Sequence, residues 1–304
     1  GLPAAYREGD SRVHLISIAT DDGPSTAILD RERGDVIDLS RAAPRLPRAM
    51  AALIRLGAAA QSDLRAALAG DRGRRPLAGT RLMAPLPHPV RNVICVGKNY
   101  RDHIAELRGG VTGGAAPPAV PIFFTKATTA VIGPGEPVPA GLDPTGSVDY
   151  EGELGVVIGP GGRGIAPERA MGHVYGYTII NDVTSRRLQA EHGQWFLGKS
   201  SDGFCPMGPA IVTTDAVPDV SVLRVQTRVN GELRQDGSVA DRIFDIPTLI
   251  ATLSRTMTLE PGDVIATGTP AGVGMGFTPP RYLAPGDRVA VTIDPIGTLE
   301  NPIV

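Results

Sequence analysis

The sequence predicts an α+β fold dominated by β-strands, with a small α/β domain at residues 1–80 and a larger one at 81–304. Three observations carry this. Short runs rich in Val, Ile, Leu and Thr alternate with polar residues at a period of two through most of the chain. Turn signals separate them: 38 glycines and 28 prolines are about a fifth of the residues, below the roughly 25–30% that marks disorder. Helical spacing is confined to a few short Ala- or Leu-rich stretches.

Size and charge narrow the function. A chain of 304 residues with a formal charge of −2 can bury a sizeable core, and its interspersed charges suggest neither nucleic acid nor an anionic membrane as partner. No run of eighteen apolar residues offers a transmembrane helix. The opening GLPAAYREGDSRV has no charged and apolar regions of the signal-peptide kind, so a cytoplasmic location is expected. Cys95 and Cys205, in VICVG and GFCPMG, are expected to be buried, inert thiols.

Taken in order, residues 13–39 form a predicted β-meander: HLISIA, STAILD and DVIDL, separated by DDGP and RERG turns. Residues 48–56 and 62–69 follow as two short helices, and GDRGRRP reads as a linker near the domain boundary. NVICVG is a buried strand. Residues 98–108, KNYRDHIAELR, are predicted helical, with Asn99 as a candidate cap. His103 and Glu106 lie at i and i+3, one turn apart on one face. Such a pair is either a solvated surface pair or a carboxylate that orients an imidazole as a general base. The Gly/Pro-rich residues 109–121 are a candidate lid or a tolerated surface insertion.

The most informative stretch is 147–159, SVDYEGELGVVIG, read as one strand. Val148, Tyr150, Leu154, Val156 and Ile158 share one face, which leaves Glu151 and Glu153 together on the other. Two adjacent carboxylates repel on an otherwise apolar strand, and a hard divalent cation converts that repulsion into binding. The bland alternative is a solvated face. GPGGRG follows and fits G-x-G-x-x-G, with Asp182 some distance on, but the carboxylates before it would repel a pyrophosphate, so a plain turn is expected. Residues 174–182 are a strand ending at Asp182. Residues 184–192 are a helix start, with Arg186 and Gln189 at i and i+3. WFLGKSSDG, containing Lys199, reads as a loop. The remainder is strand-rich, with an Asn230-Gly231 hairpin turn and one helix at 246–254.

Six motifs then fall in one order: GKNYRDHIAE, FFTKATTAVIGPGEPV, DYEGELGVVIG, YTIINDVTSRRLQ, FLGKSSDGFCPMGP and GDVIATGTPAGVG. From about Leu82 to the C-terminus the chain resembles the fumarylacetoacetate hydrolase family, in particular its bacterial branch with a small N-terminal domain. The resemblance implies a mixed β-sandwich roll, a homodimer and a Mg2+ or Mn2+ cofactor. It implies that Glu151, Glu153 and Asp182 hold the metal, that His103 and Glu106 activate water, and that Lys199 stabilises developing negative charge. Arg186, Gln189 and Thr269 would contact a small 2-oxo acid substrate, with Lys126 as a further nearby positive charge. One departure stands out: Arg187 follows Arg186 where the family usually has an acidic residue.

The chemistry implied is hydrolysis of a C–C bond in a 2,4-dioxo acid of the acylpyruvate type, with a metal-stabilised pyruvate enolate as leaving group. The same platform would serve an isomerase of a 2-hydroxydienedioate in aromatic catabolism, or a decarboxylase of a 2-oxo diacid such as oxaloacetate. A catalytically silent metal-binding protein is the remaining reading.

Overall fold

The computed structural model describes residues 13–107 and 116–304. It is strand-rich. Residues 109–115 of the expected lid lie outside the described residues.

The meander forms as the alternation predicts, with strands His14–Thr20, Gly23–Asp30 and Asp35–Asp38. These strands extend a large sheet shared with the rest of the chain. Leu15 of the first pairs with Ile211 of Cys205–Thr213. From there the sheet continues through Val174–Asn181, Gly152–Ile158, Val264–Ala266 and Val93–Gly97 to an edge strand, Ile122–Lys126. It is continuous across the expected boundary near residue 80, since Leu82 and Met83 pair with Ile18 and Ser17. Most neighbours are antiparallel; Val264–Ala266 runs parallel to Val93–Gly97.

A second, four-stranded antiparallel sheet runs in the order Glu232–Ser238, Arg224–Val229, Arg288–Ile293, Gly297–Pro302. Asn230 and Gly231, at φ 52° and 84°, make the two-residue turn of its first hairpin, where both central residues need positive φ. The two sheets enclose the larger core. Leu154, Val156 and Ile158 from the strand Gly152–Ile158, with Tyr150 just before it, join Val225, Val229, Val289 and Val291 from the second sheet in one cluster. The opposite face of the large sheet is covered by the helices Met50–Leu56 and Gln61–Ala69, which seal Leu53 and Leu64 against Ile28, Ile37, Val157 and Ile211.

Three local expectations are corrected. The 147–159 stretch is two strands, Val148–Asp149 and Gly152–Ile158. The first pairs with Thr184–Ser185 rather than with the large sheet, so the chain is re-aimed just before the glutamates. Asn99 does not cap the following helix, Arg101–Glu106, which begins after Tyr100. Its side chain instead donates to the Phe244 and Thr267 carbonyls and accepts from the Phe244 N–H. A buried amide is better satisfied by three long-range partners than by one cap. Lys199 sits on a short helical turn, Phe196–Lys199, rather than in an open loop.

GPGGRG, expected to be a plain turn, is instead a bent segment whose Gly162 pairs with Leu259 in an antiparallel bridge. A Cβ at Gly161 would overlap the Leu259 carbonyl oxygen, so close backbone packing explains that residue without any nucleotide. Cys95 and Cys205 are buried and unpaired, and burial pushes both thiols up, Cys205 to about 12. No helix among the described residues is long and apolar enough to cross a membrane.

Candidate metal centre and active site

Sheet register builds the acidic cluster. Glu153 lies opposite Ile180 and Gly152 opposite Asn181, and the Asp182 N–H donates to the Glu151 carbonyl at 2.8 Å. Directly opposed residues share a face, so Asp182 joins Glu151 and Glu153 on the side away from the inter-sheet core. One carboxylate oxygen from each lies within 4.8 Å of the others, and all three residues are buried. The strand is therefore covered on both faces, which excludes the solvated alternative for its glutamates.

Buried charges need partners, and two of the three have them. The Lys199 ammonium donates to Glu151 Oε2 at 2.9 Å and Asp182 Oδ2 at 2.6 Å. Arg186 Nη1 lies 2.6 Å from Glu151 Oε1, and Lys126 donates to Asp182 Oδ1 at 2.6 Å. Burial alone would push Glu151 up, but Lys199 and Arg186 outweigh it and hold the carboxyl well below the usual range. Burial likewise opposes the Lys199 charge, yet Asp182 and Glu151 push its ammonium up to about 12.

Glu153 is the exception. It makes no ion pair among the described residues; its carboxylate accepts one hydrogen bond, from the Gly268 N–H at 2.8 Å. Burial, then the Asp182 and Glu151 carboxylates, push it well above its ordinary range. A divalent ion would supply the missing positive charge, and three carboxylate oxygens are a hard-cation donor set. The residues present fit such an ion.

The His103–Glu106 pair stands beside this cluster. His103, on the helix Arg101–Glu106, has Nδ1 2.7 Å from Glu106 Oε1. Glu106 is itself fixed, because its Oε2 accepts from the Gly272 N–H at 2.7 Å. An ionised carboxylate only accepts, so Nδ1 carries the hydrogen of this contact, and Nε2 is the ring nitrogen that exchanges a proton when the imidazole acts as base. His103, Glu151, Glu153, Arg186, Gln189, Lys199 and Thr269 line one small cavity.

Arg186 is gripped by a residue that sequence reasoning did not single out. Asp149 Oδ2 accepts from Arg186 Nε and the Met275 N–H, and Oδ1 from the Gly274 N–H. One loop, 272–276, thus steadies both Glu106 and Asp149. Arg186 Nη2 is buried without a hydrogen-bond partner. Thr269 lines the cavity, but its hydroxyl hydrogen is engaged by the Gly152 carbonyl and its oxygen accepts from Gln235. Lys126 is fully buried, a structural counter-charge to Asp182. Arg187, where the family usually has an acidic residue, is exposed, and Asp149 supplies an ion pair to Arg186. Asp149 was visible only as the D of DYEGEL, with no spacing to mark it.

Comparison with known proteins agrees with this geometry. Residues 92–304 match the model of the fumarylacetoacetate (FAA) hydrolase C-terminal domain. The chain belongs to the fumarylacetoacetate hydrolase family. Within that family, oxaloacetate tautomerase YisK of Bacillus subtilis (strain 168) is 54% identical over 228 residues, covering 75% of this chain and 74% of that protein. Among solved structures, the fumarylacetoacetate hydrolase EaFAH from psychrophilic Exiguobacterium antarcticum superposes with a TM-score of 0.81 at 44% identity, covering 96% of this chain and 99% of its own. Maleylpyruvate hydrolase from Sphingobium sp. SYK-6, in complex with manganese(II) and pyruvate, gives a TM-score of 0.77 at 34% identity, covering 96% and 98%. The family thus includes a tautomerase and hydrolases, and one structural neighbour holds a metal ion.

Proposed function

We propose that this protein is a divalent-metal-dependent enzyme of small 2-oxo diacids, and that its reaction is proton transfer at C3, interconverting the enol and keto forms of an oxaloacetate-type substrate. The observation that carries the reading is His103, oriented through Nδ1 by Glu106, lining one cavity with Glu151 and Glu153 of the buried three-carboxylate cluster. The high identity to a named oxaloacetate tautomerase supports the choice of reaction.

Glu151, Glu153 and Asp182 would hold the ion, which supplies Lewis-acid polarisation of the 2-oxo acid's oxygens. His103 would carry the proton. In the ketonising direction one proton leaves the 2-hydroxyl and one arrives at C3, as the C2=C3 double bond becomes single and the C2–O bond becomes double, with no bond between heavy atoms made or broken. Glu106 steadies the imidazolium while the proton is held. Lys199 remains an ammonium throughout, so it serves as fixed positive charge rather than as a base. Arg186, rigid between Asp149 and Glu151, presents its unpartnered Nη2 to a carboxylate; a guanidinium held this way spends little entropy on binding.

A second reading is favoured by the maleylpyruvate hydrolase neighbour. With water in place of the C3 proton as the target of His103, the same residues would support hydrolytic C–C cleavage of a 2,4-dioxo acid. The experiment that tests the proposal follows the enol absorbance of oxaloacetate with manganese, with magnesium and with chelator, alongside product analysis for an acylpyruvate. Metal-dependent enol loss, abolished in Glu151→Gln, is expected. Metal-dependent release of pyruvate and an acid without enol conversion would replace the tautomerase by the hydrolase.

A further inference from the structure

We propose that Trp195 is a specificity-determining residue whose indole forms the wall that admits a compact 2-oxo acid and turns away one with a bulky apolar tail, a reading that rests on the 2-oxo acid chemistry proposed for the cavity. The cavity has two unlike parts. Its polar groups, His103, Glu151, Arg186 and Lys199 among them, serve the reacting end of the substrate. Apart from Lys98, the rest of its lining is apolar: Val96, Gly97, Leu107, Phe124 and Trp195. Trp195 is the largest of these and the only tryptophan in the chain.

Two neighbouring strands seat the indole. Cys95 lies opposite Phe124 and Gly97 opposite Ile122, so Gly97 and Phe124 share one face of the sheet. The indole lies against both. A Cβ at Gly97 would overlap its Cζ3 and Cη2 atoms, so the ring rests directly on the backbone of the strand Val93–Gly97. The Phe124 ring meets it edge to face, with centroids 5.2 Å apart and planes at 69°, an arrangement that aromatic pairs favour.

The backbone of Trp195 is tied to the acidic cluster. It has right-handed helical dihedrals and directly precedes the turn Phe196–Lys199, which sets Trp195 and Lys199 four residues apart on one face. Their side chains contact the same ring: the Lys199 ammonium stands 4.9 Å from the Phe124 centroid, within cation–π reach. Lys199 is in turn ion-paired to Glu151 and Asp182. A Cβ at Gly198 would overlap the Gln189 backbone, so the turn packs directly onto the helix Arg186–Glu191. Outward from the carboxylates the order is therefore Lys199, Phe124, Trp195. A substrate tail that continues past Lys199 along Phe124 meets the indole. Such a ring covers about 150–250 Å² when enclosed, and a methyl group in its place opens most of that wall. Discrimination then comes from steric exclusion of the larger acid rather than from added attraction to the smaller one.

The test compares wild type, Trp195→Phe, Trp195→Ala and Phe196→Ala, loaded with manganese, on enol oxaloacetate and on enol phenylpyruvate, which carries a phenyl tail. Trp195→Ala is expected to raise kcat/KM for phenylpyruvate relative to oxaloacetate by at least about tenfold, the scale on which an apolar pocket sorts substrates by size. Trp195→Phe should move the ratio in the same direction by less. Phe196 is exposed and outside the cavity lining, so Phe196→Ala should leave the ratio within about twofold. A purely structural role for Trp195 would depress both substrates together; an unchanged ratio in Trp195→Ala, or an equal shift in Phe196→Ala, overturns the assignment. If wild type turns over neither substrate, the proposed reaction fails, and binding decides Trp195 separately. Calorimetric titration of magnesium-loaded protein with pyruvate and with phenylpyruvate should then show Trp195→Ala gaining at least about tenfold in relative affinity for phenylpyruvate. An unchanged affinity ratio, or binding of neither acid by either protein, overturns the wall as well.

Discussion

Replacing Glu153 by glutamine isolates the electrostatic problem at the centre of this site. The carboxylate is buried, 1% exposed, with a single hydrogen bond from Gly268 and two acidic neighbours. Glutamine keeps the shape and the acceptor but removes the charge. Leaving a buried polar group poorly compensated costs about 1–3 kcal/mol, and a charge more. Metal-free Glu153→Gln should therefore be more stable than metal-free wild type by at least about 1–3 kcal/mol near neutral pH. For a chain of this size that is about 2–5 °C in melting temperature. The pH dependence fixes the sign. The Glu153 carboxyl is raised in the folded protein, so its stabilising contribution is full below the ordinary carboxylate range and is lost as pH rises toward its folded value. Metal-free wild type should lose stability relative to the variant as pH rises above the ordinary glutamate value near 4.3. Manganese at a hundred times its dissociation constant should return about 2.7 kcal/mol to wild type and far less to the variant. Thermal unfolding across pH, with and without metal, reads all three effects. Equal pH profiles and equal metal shifts in the two proteins would refute the assignment of Glu153 as the uncompensated ligand.

Other perturbations have equally definite outcomes. His103→Ala should retain metal-induced stabilisation but lower turnover by about 10²–10⁴-fold, measured with saturating metal; unchanged turnover removes His103 as the proton carrier. Asp149→Asn should leave metal affinity near wild type yet raise KM several-fold, because Arg186 loses its charged anchor while Glu151 keeps Lys199. Steady-state kinetics and metal titration on one preparation separate the two. Gly272→Ala should destabilise by about 2 kcal/mol or more, since the residue sits at φ 106° and a Cβ would overlap the Arg234 carbonyl oxygen; chemical denaturation measures it. Arg187→Asp should change stability by less than about 0.5 kcal/mol and leave kinetics intact, because the side chain is exposed.

Local periodicity made much of this site legible. Alternation in DYEGELGVVIG put Glu151 and Glu153 on one face, and the i, i+3 spacings of His103 with Glu106 and Arg186 with Gln189 survive as hydrogen-bonded pairs on short helices, the first part-buried and the second buried. Period-two and helical spacing are backbone geometry, so they can be read without tertiary knowledge. What stayed hidden depends on long-range packing. Nothing in the sequence shows that both faces of the Glu153 strand are covered, which decides between a solvated carboxylate pair and a metal-binding one. Asn99 has the chemistry of a helix cap, but two residues far along the chain, Phe244 and Thr267, claim it. Asp149 gains its role from a loop more than a hundred residues away, through the Gly274 and Met275 N–H groups. The expected edge of the small N-terminal region gave no hint that Leu15 would pair with Ile211, because strand pairing across that distance leaves no local mark.

The measurement closest to the central claim is ketonisation of enol oxaloacetate by wild type and His103→Ala, each with manganese and after chelation. The structure predicts rapid enol loss only for metal-loaded wild type, with oxaloacetate recovered intact as the keto form. Enol loss that is equal in His103→Ala, or that persists after chelation, would contradict the account.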